Sequence, residues 1–237
     1  MGSTERLPRC IHLAGADGSG KTTQARAIMA WLAGQGTQAR YVWLRFPRLL
    51  CTPFLIYARL RGYSYQETVD GERYGYWDFR PSWVMRNLFP WALLVDTLIM
   101  ALIRIYRPLW RGETVVCDRF VADVLVDLML GVGDPCLDQR LPGRWFIGLL
   151  PRGTRTAVID LETALAVERT PALRADRTRS ARRELYLGLA ARQGWPVVSA
   201  APAPEVVTAE LVEKVGTSPP GPLSSEERGR MRRSEVC

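Results

Sequence analysis

GADGSGKTTQ, residues 15 to 24, is the stretch that decides the fold of this 237-residue chain. The apolar run RCIHLAG leads into it, and TTQARAIMAWLAGQG follows, with apolar residues at helical spacing and glycine at the end. The order is therefore strand, glycine loop and helix. In that context the pattern G-x-x-x-x-G-K-[ST], met by Gly15, Gly20, Lys21 and Thr22, predicts a loop that wraps phosphate groups at a helix N-terminus.

Each residue of this motif has an expected role in holding a nucleotide. We expect the backbone N–H groups from 17 to 22 to surround the terminal phosphates of ATP, Lys21 to reach the β and γ phosphates, and the Thr22 hydroxyl to bind Mg²⁺. A lysine here stands out, because Lys21 and Lys214 are the only lysines among the 32 basic residues. The expected phosphate-binding residues are Gly15, Asp17, Gly18, Ser19, Gly20, Lys21, Thr22 and Thr23.

Further short apolar segments predict the other strands of the domain. They are ARYVWLRF (39–46), ETVVCDRF (113–120), RTAVIDLE (155–162) and WPVVSA (195–200), and helical or irregular stretches separate them. Strands that alternate with helices predict an α/β fold with a parallel five-stranded sheet and helices on both faces. Together with the glycine loop, this pattern indicates the three-layer sandwich of P-loop NTPases.

We expect a single domain over residues 1–215, because the length fits one α/β unit and no segment repeats at a fixed period. Residues 57–83 interleave aromatic side chains with arginines, which indicates an irregular insertion that either packs on the domain or covers a substrate. Residues 166–183 are expected to form an arginine-rich lid. Residues 216–237, rich in Pro, Gly, Ser and charge, are expected to be a disordered tail.

Charge and composition exclude several other classes of function. The net charge is +8, but the basic residues are scattered along the chain, so we expect no nucleic-acid surface. The single His12 and five cysteines without CxxC spacing predict no zinc site and favour a reducing cytoplasm. The N-terminus shows no secretory signal. The apolar run at 91–103 contains Asp96 and is shorter than the roughly 20 residues that span a bilayer, so we expect a buried helix and no transmembrane segment.

Several motifs together resemble the thymidylate kinase family. They are the glycine loop with its acidic residue before Gly-x-Gly-Lys-Thr-Thr, LRFPR at 44–48, RPLWRGETVVCDRF at 107–120, TAVIDLETALAVER at 156–169 and ARRELYLGLAARQGWPVVSA at 181–200. The resemblance implies a nucleoside monophosphate kinase that uses ATP and Mg²⁺ to convert dTMP to dTDP. It also implies small nucleotides as partners. Members of this family commonly form homodimers, and the sequence leaves that point open.

The resemblance also implies roles for individual residues. Asp118 is expected near Mg²⁺. Arg45, Phe46 and Arg119 are expected at the acceptor, with both arginines holding its phosphate, and Asp17 faces the same place from the loop. A lid arginine is expected to close over the transferred phosphoryl group. The implied catalytic set is Asp17, Lys21, Arg119 and the lid residues Arg169 and Arg174.

One segment departs from the family pattern. The family normally has an arginine after an Asp or Asn in the helix before the third strand, whereas LFPWALLVDTLIM at 88–100 has Thr97 after Asp96. On a helix these two residues share a sector with Arg104 and Arg107, which we expect to face the surface rather than the acceptor. The acceptor therefore stays open. It is dTMP, or another small molecule in a thymidylate kinase-like phosphotransferase, or none in a regulatory nucleotide-binding protein.

Overall fold

The computed structural model describes residues 7–46, 49–69 and 72–216, so the expected tail lies outside the described residues except for Gly216. The strands are β1 (Cys10–Ala14), β2 (Ala39–Trp43), β3 (Ser64–Val69), β4 (Glu72–Trp77), β5 (Thr114–Asp118), β6 (Arg155–Asp160) and β7 (Val197–Ser199). The helices are α1 (Lys21–Gly34), α2 (Cys51–Leu60), α3 (Trp83–Asn87), α4 (Phe89–Ala101), α5 (Arg107–Trp110), α6 (Val121–Val132), α7 (Leu141–Gly148), α8 (Thr163–Arg169), α9 (Arg179–Gln193) and α10 (Pro204–Gly216).

A parallel five-stranded sheet in the order β2-β5-β1-β6-β7 forms the centre of the protein, and the prediction of its strands is confirmed. The central strands β1, β5 and β6 are buried on both faces, as their apolar runs predict, whereas the edge strands β2 and β7 are partly exposed. In the register of β1 with β5, Leu13 lies beside Asp118. The carboxyl end of β5 is therefore next to the glycine loop that follows β1.

Helices cover both faces of this sheet, which is compatible with a three-layer sandwich. Successive residues of β1 point to opposite faces. Ile11 and Leu13 pack with residues of α1 and α10 in one apolar cluster. Cys10 and Ala14 pack on the other side with residues of α2, α4, α6 and α9.

The aromatic segment at 57–83 differs from the expected irregular insertion. Its central part is an antiparallel pair of strands, β3 and β4, in which Tyr65 lies opposite Tyr76. Aromatic residues favour β-strands, which explains why these residues form the two strands, but their pairing was not predicted from the sequence. After β4 the chain is anchored on α6, because the N–H of the buried Phe79 donates a 2.7 Å hydrogen bond to the carbonyl of Gly131.

A π-helical turn (Leu102–Tyr106) joins α4 to α5, so that Phe89–Trp110 is one helical stretch of 22 residues. Within the described ranges it is the one stretch long and apolar enough to span a membrane by composition, because 18 consecutive residues in it have a mean hydropathy of 1.6. Only 44% of those 18 residues are buried, so the expectation of a buried helix holds for one face. A single apolar helix of this kind gives no clear transmembrane segment.

The expectation that Asp96 and Thr97 face the surface is wrong, because both residues are fully buried, while Arg104 and Arg107 are exposed. The Asp96 carboxylate accepts hydrogen bonds of 2.8, 2.8 and 2.9 Å from the N–H groups of residues 49–51. Those groups begin α2, which has no side-chain cap of its own. Asp96 therefore caps a helix that is distant in sequence.

Candidate functional site

The glycine loop, Gly15–Gly20, connects β1 to α1 at the carboxyl edge of the sheet. Two of its glycines are required by the backbone. A Cβ on Gly15 would lie 2.3 Å from the carbonyl oxygen of Ile159, and Gly20 has a φ of 87° where α1 begins. Ser19 is buried in the loop, whereas Thr23 is exposed on the first turn of the helix. The loop therefore presents backbone N–H groups at a helix N-terminus, an arrangement that favours anions.

Lys21 is buried beneath this loop. Its Nζ donates 2.6 Å hydrogen bonds to the carbonyls of Gly15 and Ala16. Burial lowers the pKa of Lys21 to about 8, and the positive charge of Arg119 adds to that shift, while Asp123, Asp17 and Asp118 oppose it. The ammonium group therefore lies at the loop without a carboxylate within ion-pair distance among the described residues.

Thr22 and Asp118, the two residues expected to hold a metal, are in contact. The Thr22 hydroxyl donates a 2.6 Å hydrogen bond to Oδ2 of Asp118, and the hydroxyl of Tyr41 donates one of 2.7 Å to the same oxygen. Burial and this hydrogen bond raise the pKa of Tyr41 to about 12, so the phenol keeps its proton. The other oxygen, Oδ1, is buried and has no hydrogen-bond partner in the described part of the chain.

These groups fit a magnesium ion that is held mainly by a bound nucleotide. Within residues 7–46, 49–69 and 72–216, no group of three or more His, Cys, Asp or Glu side chains could enclose a metal. Mg²⁺ needs no such cage, because it commonly binds one or two protein oxygens together with phosphates and water. The free Oδ1 of Asp118 and the exposed Thr22 offer those oxygens at the end of the glycine loop.

Arg119 lies between two carboxylates. It is the one non-glycine residue with a positive φ in the described ranges, at 76°. Its guanidinium contacts Oδ1 of Asp17 on one side and lies 3.0 Å from Oδ1 of Asp123 on the other. Burial acts to lower the pKa of Arg119, but the charges of Asp123 and Asp17 outweigh it and raise the pKa. Two negative charges thus fix the guanidinium beside the glycine loop.

Asp123 supports Arg119 from inside the domain. This carboxylate is almost fully buried and accepts hydrogen bonds from the hydroxyl of Tyr186 (2.8 Å) and the N–H of Phe120 (3.3 Å). Nε2 of His12, the single histidine, is 3.9 Å from its Oδ2. The sequence offered a signal for it: Asp123 and Asp127 are the two charges in the otherwise apolar helix α6, and buried charges need partners.

Arg45 brings the second strand to the same place. Its Nη2 lies 3.6 Å from Oδ2 of Asp17 and its Nε lies 3.9 Å from Oδ2 of Asp127. Asp127 also contacts Nη1 of Arg182 from α9. Burial acts to raise the pKa of Asp17, but Arg119, Arg45 and Lys21 outweigh it and hold this pKa well below its usual range. Asp17 is therefore an anchor for cations.

A cavity of about 470 Å³ opens beside these arginines, and we call it the aromatic cavity. The ring of Phe46 is 4.6 Å from the ring of Trp77, which comes from the β3–β4 hairpin. The aromatic segment thus both packs on the domain and faces the cavity. The lining residues are Trp43, Arg45, Phe46, Gly75, Tyr76, Trp77, Asp127, Leu130, Gly131, Thr178 and Arg182.

The lid places its arginines differently from the expected arrangement. Arg169 donates hydrogen bonds of 2.8 and 2.9 Å to the carbonyls of Ala200 and Ala201, and Arg174 is exposed. Arg183 forms two 2.7 Å hydrogen bonds with Asp160.

Arg179 is the lid arginine that reaches the glycine loop. A Cβ on Gly18 would lie 3.8 Å from both of its terminal nitrogens. The side chain is only 4% exposed, and its Nε and Nη1 have no hydrogen-bond partner in the described part of the chain. Burial lowers the pKa of Arg179 despite the charges of Asp176 and Asp17. The sequence shows Arg179 among many arginines, and only the fold singles it out.

The structure thus brings most of the predicted site residues together. Lys21, Thr22, Asp118, Asp17, Arg119 and Arg45 lie around the glycine loop, and Phe46 lies at the cavity. Three residues join them without having been predicted, Tyr41, Asp123 and Asp127. Arg179 and Arg182 also join them; the sequence placed both among the lid arginines but favoured Arg169 or Arg174. The chain matches no protein-family model and no curated protein, so the function has to be inferred from this arrangement alone.

Proposed function

We propose that this protein transfers the γ-phosphoryl group of ATP to a nucleoside monophosphate, with dTMP as the first acceptor to test. The observation that carries the proposal is the convergence of three kinds of group at one edge of the sheet. The glycine loop, with the buried Lys21, lies beside the hydrogen-bonded pair of Thr22 and Asp118. Two arginines, Arg45 and Arg119, are held at the loop by Asp17.

On the donor side, the loop N–H groups and Lys21 would bind the phosphates of ATP. Among the described residues, the Lys21 ammonium donates hydrogen bonds only to the carbonyls of Gly15 and Ala16, and it can exchange them for phosphate oxygens. Thr22 and Asp118 would hold Mg²⁺, whose chemistry is to offset the negative charge that the phosphoryl oxygens carry. Tyr41 would keep the Asp118 carboxylate oriented.

On the acceptor side, Arg119 and Arg45 would bind a phosphate. Both guanidinium groups contact Asp17, and charge-assisted hydrogen bonds from them to an acceptor phosphate would add to these contacts. The depressed pKa of Asp17 makes it a poor proton acceptor. An alcohol acceptor needs a base, whereas a phosphate acceptor is already ionised at neutral pH. The site therefore favours a monophosphate over a nucleoside.

The aromatic cavity would hold the rest of the acceptor. Rings of Trp43, Phe46 and Trp77 line it, and such rings stack on a planar base at modest entropic cost. No arginine of α4 lines the cavity, because α4 contains none; Thr97, where the family normally has an arginine, donates its hydroxyl to the carbonyl of Leu93 inside the helix. Base recognition would therefore depend on the aromatic segment.

A turnover assay with matched variants tests the proposal. The purified chain is incubated with Mg-ATP and dTMP, other nucleoside monophosphates, nucleosides or phosphosugars, and ADP is measured. We expect Lys21→Ala to lower turnover by about 100-fold or more, because it removes one preorganised cation from the transferring group. Lys214→Ala, at the other lysine, should leave turnover unchanged. Arg45→Ala should raise the acceptor KM without changing the affinity for ATP.

The remaining outcomes separate the alternatives. Full activity in Lys21→Ala would show that the glycine loop is not the site. Turnover with a nucleoside or phosphosugar but not with monophosphates would move the protein to another phosphotransferase class. Binding of ATP without ADP formation from any acceptor would favour a regulatory nucleotide-binding role.

A further inference from the structure

The helical stretch from α4 to α5 exposes an apolar stripe that no part of the described chain covers. Five of its six residues recur every three or four positions, so they lie on one side of the helix, and Ile103 directly follows the fifth. Phe89, Leu93, Ala101 and Ile105 on the other side are buried in the core. The stripe consists of Leu88, Trp91, Val95, Leu98, Leu102 and Ile103, which are between 37% and 54% exposed.

The helices around the apolar stripe carry mostly positive charge. In the helical segments α2, α3, α4 to α5 and α7, the single acidic residue is Asp96, which is buried as a helix cap. The same segments carry Arg59, Arg86, Arg104, Arg107 and Arg144, all exposed. On the opposite face of the sheet, α10 contains Glu205, Glu210 and Glu213. Arginines therefore dominate the border of the apolar stripe, and the one acidic residue that shares a pocket with Trp91 in the described chain, Asp134, is paired with Arg140.

Aromatic residues and arginines meet at the carboxyl end of the stripe. Arg40, Arg104, Arg107 and Arg111 line a groove of about 460 Å³ together with Tyr41, Trp43 and Ile103, and we call it the arginine groove. Trp110 is 71% exposed beside it. The acidic residue nearest in sequence, Glu113, is only 12% exposed and is paired with Arg40. Tryptophan and arginine beside an apolar helix face are typical of the interface between lipid headgroups and acyl chains.

We propose that this face, the apolar stripe together with the arginine groove, docks onto the surface of an anionic lipid bilayer. The stripe would insert among the upper acyl chains, and the arginines would contact negatively charged headgroups. The arginine groove shares Tyr41 and Trp43 with the proposed nucleotide site, but the stripe residues and the groove arginines line neither the glycine loop nor the aromatic cavity, so docking can be tested without turnover.

The structure favours lying on the membrane over spanning it. Spanning would pull the buried face of α4 out of the core and separate Asp96 from the three N–H groups that it caps. A stretch of 22 residues lying flat offers a contact about 33 Å long. In this orientation the buried face of the helix stays packed on the core, and the apolar stripe on the other face contacts the bilayer.

Charge also favours lipid over a second copy of the chain. In a two-fold interface each patch meets itself, so the exposed arginines of this face would mostly meet arginines. Like charges that face each other suppress association. An anionic bilayer supplies the missing countercharge.

Vesicle flotation of the full-length chain tests the proposal. We expect binding to phosphatidylglycerol-containing vesicles, weaker binding as salt rises, and little binding to phosphatidylcholine alone. Arg104→Gln with Arg107→Gln should weaken binding about 30-fold, at about 1 kcal/mol for each charge near the surface. Leu98→Glu with Leu102→Glu should abolish it. Val206→Glu, at an exposed apolar residue of α10, is the matched control and should bind normally.

A measurement without variants guards against misfolding. Brominated lipids should quench part of the tryptophan fluorescence of the wild-type protein, because Trp91 and Trp110 lie on the docking face. Absence of binding to anionic vesicles, or binding unchanged by the Leu98 and Leu102 substitutions, would overturn the proposal. The proposal would also be overturned if the wild-type protein bound no vesicles but formed a dimer, and if the Leu98 and Leu102 substitutions dissociated that dimer.

Discussion

Arg179 shows how a single buried charge separates stability from activity. Its guanidinium is enclosed near Gly18 and two of its nitrogens have no partner among the described residues, which costs folding free energy. We therefore expect Arg179→Ala to lower turnover by about 10- to 100-fold while the melting temperature stays equal or rises. Turnover and thermal denaturation measure the two effects.

The neighbouring Arg174 provides the control for this prediction. It is exposed in the same lid, so Arg174→Ala should change neither quantity. If Arg174→Ala reduced turnover and Arg179→Ala did not, Arg174 would be the lid arginine that acts on the phosphoryl group, as the resemblance to thymidylate kinases implied.

Lys21 gives the protein a characteristic dependence of stability on pH. Below about pH 8 its ammonium is charged in both states, and its burial destabilises the fold. Between about 8 and the ordinary 10.5, the folded protein has lost this proton and the unfolded chain still binds it, so stability rises with pH. The free energy of unfolding of the wild type, measured relative to that of Lys21→Met, should therefore increase from about pH 8 to about pH 10.5. A constant difference would contradict the lowered pKa.

Among the elements, α2 depends on a cap from α4. Removing the Asp96 carboxylate would leave three N–H groups at 49–51 without an acceptor. We expect Asp96→Ala to reduce the free energy of unfolding by about 2–4 kcal/mol. Urea denaturation measures this loss. Asp78→Ala, at a half-exposed carboxylate paired with Arg80, should cost little. Equal losses in both variants would argue against the cap.

The elements also show which features a sequence can predict. The strands of the sheet were predictable because each is a short apolar run with local signals at both ends. The contacts of Asp96 with residues 49–51, of Asp123 with Tyr186 and of Asp118 with Tyr41 join residues distant along the chain. Spacing within the sequence carries no information about such pairs, so the cap of α2 and the contacts of Tyr186 and Tyr41 could not be predicted, whereas Asp123, four residues after Arg119, is a local partner.

For the whole molecule, nucleotide binding and stability should be linked. A ligand that binds only the folded state at 100 times its Kd adds about 2.7 kcal/mol. For a domain of this size we therefore expect Mg-ATP to raise the melting temperature by about 5–10 °C. Differential scanning fluorimetry measures the shift, and Lys21→Ala should reduce it. A wild-type protein that Mg-ATP leaves unshifted would contradict nucleotide binding, whatever the chemistry that follows.

The scarcity of lysine makes the glycine loop open to direct observation. Lys21 and Lys214 are the only lysines in the chain, and one lies under the loop while the other is on α10. Reductive methylation with ¹³C-formaldehyde would place labels on these two side chains and the N-terminal amine. The NMR spectrum would then contain very few dimethylamine signals. The Lys21 signal would report the exchange of the Gly15 and Ala16 carbonyls for phosphate, with Lys214 as an internal reference.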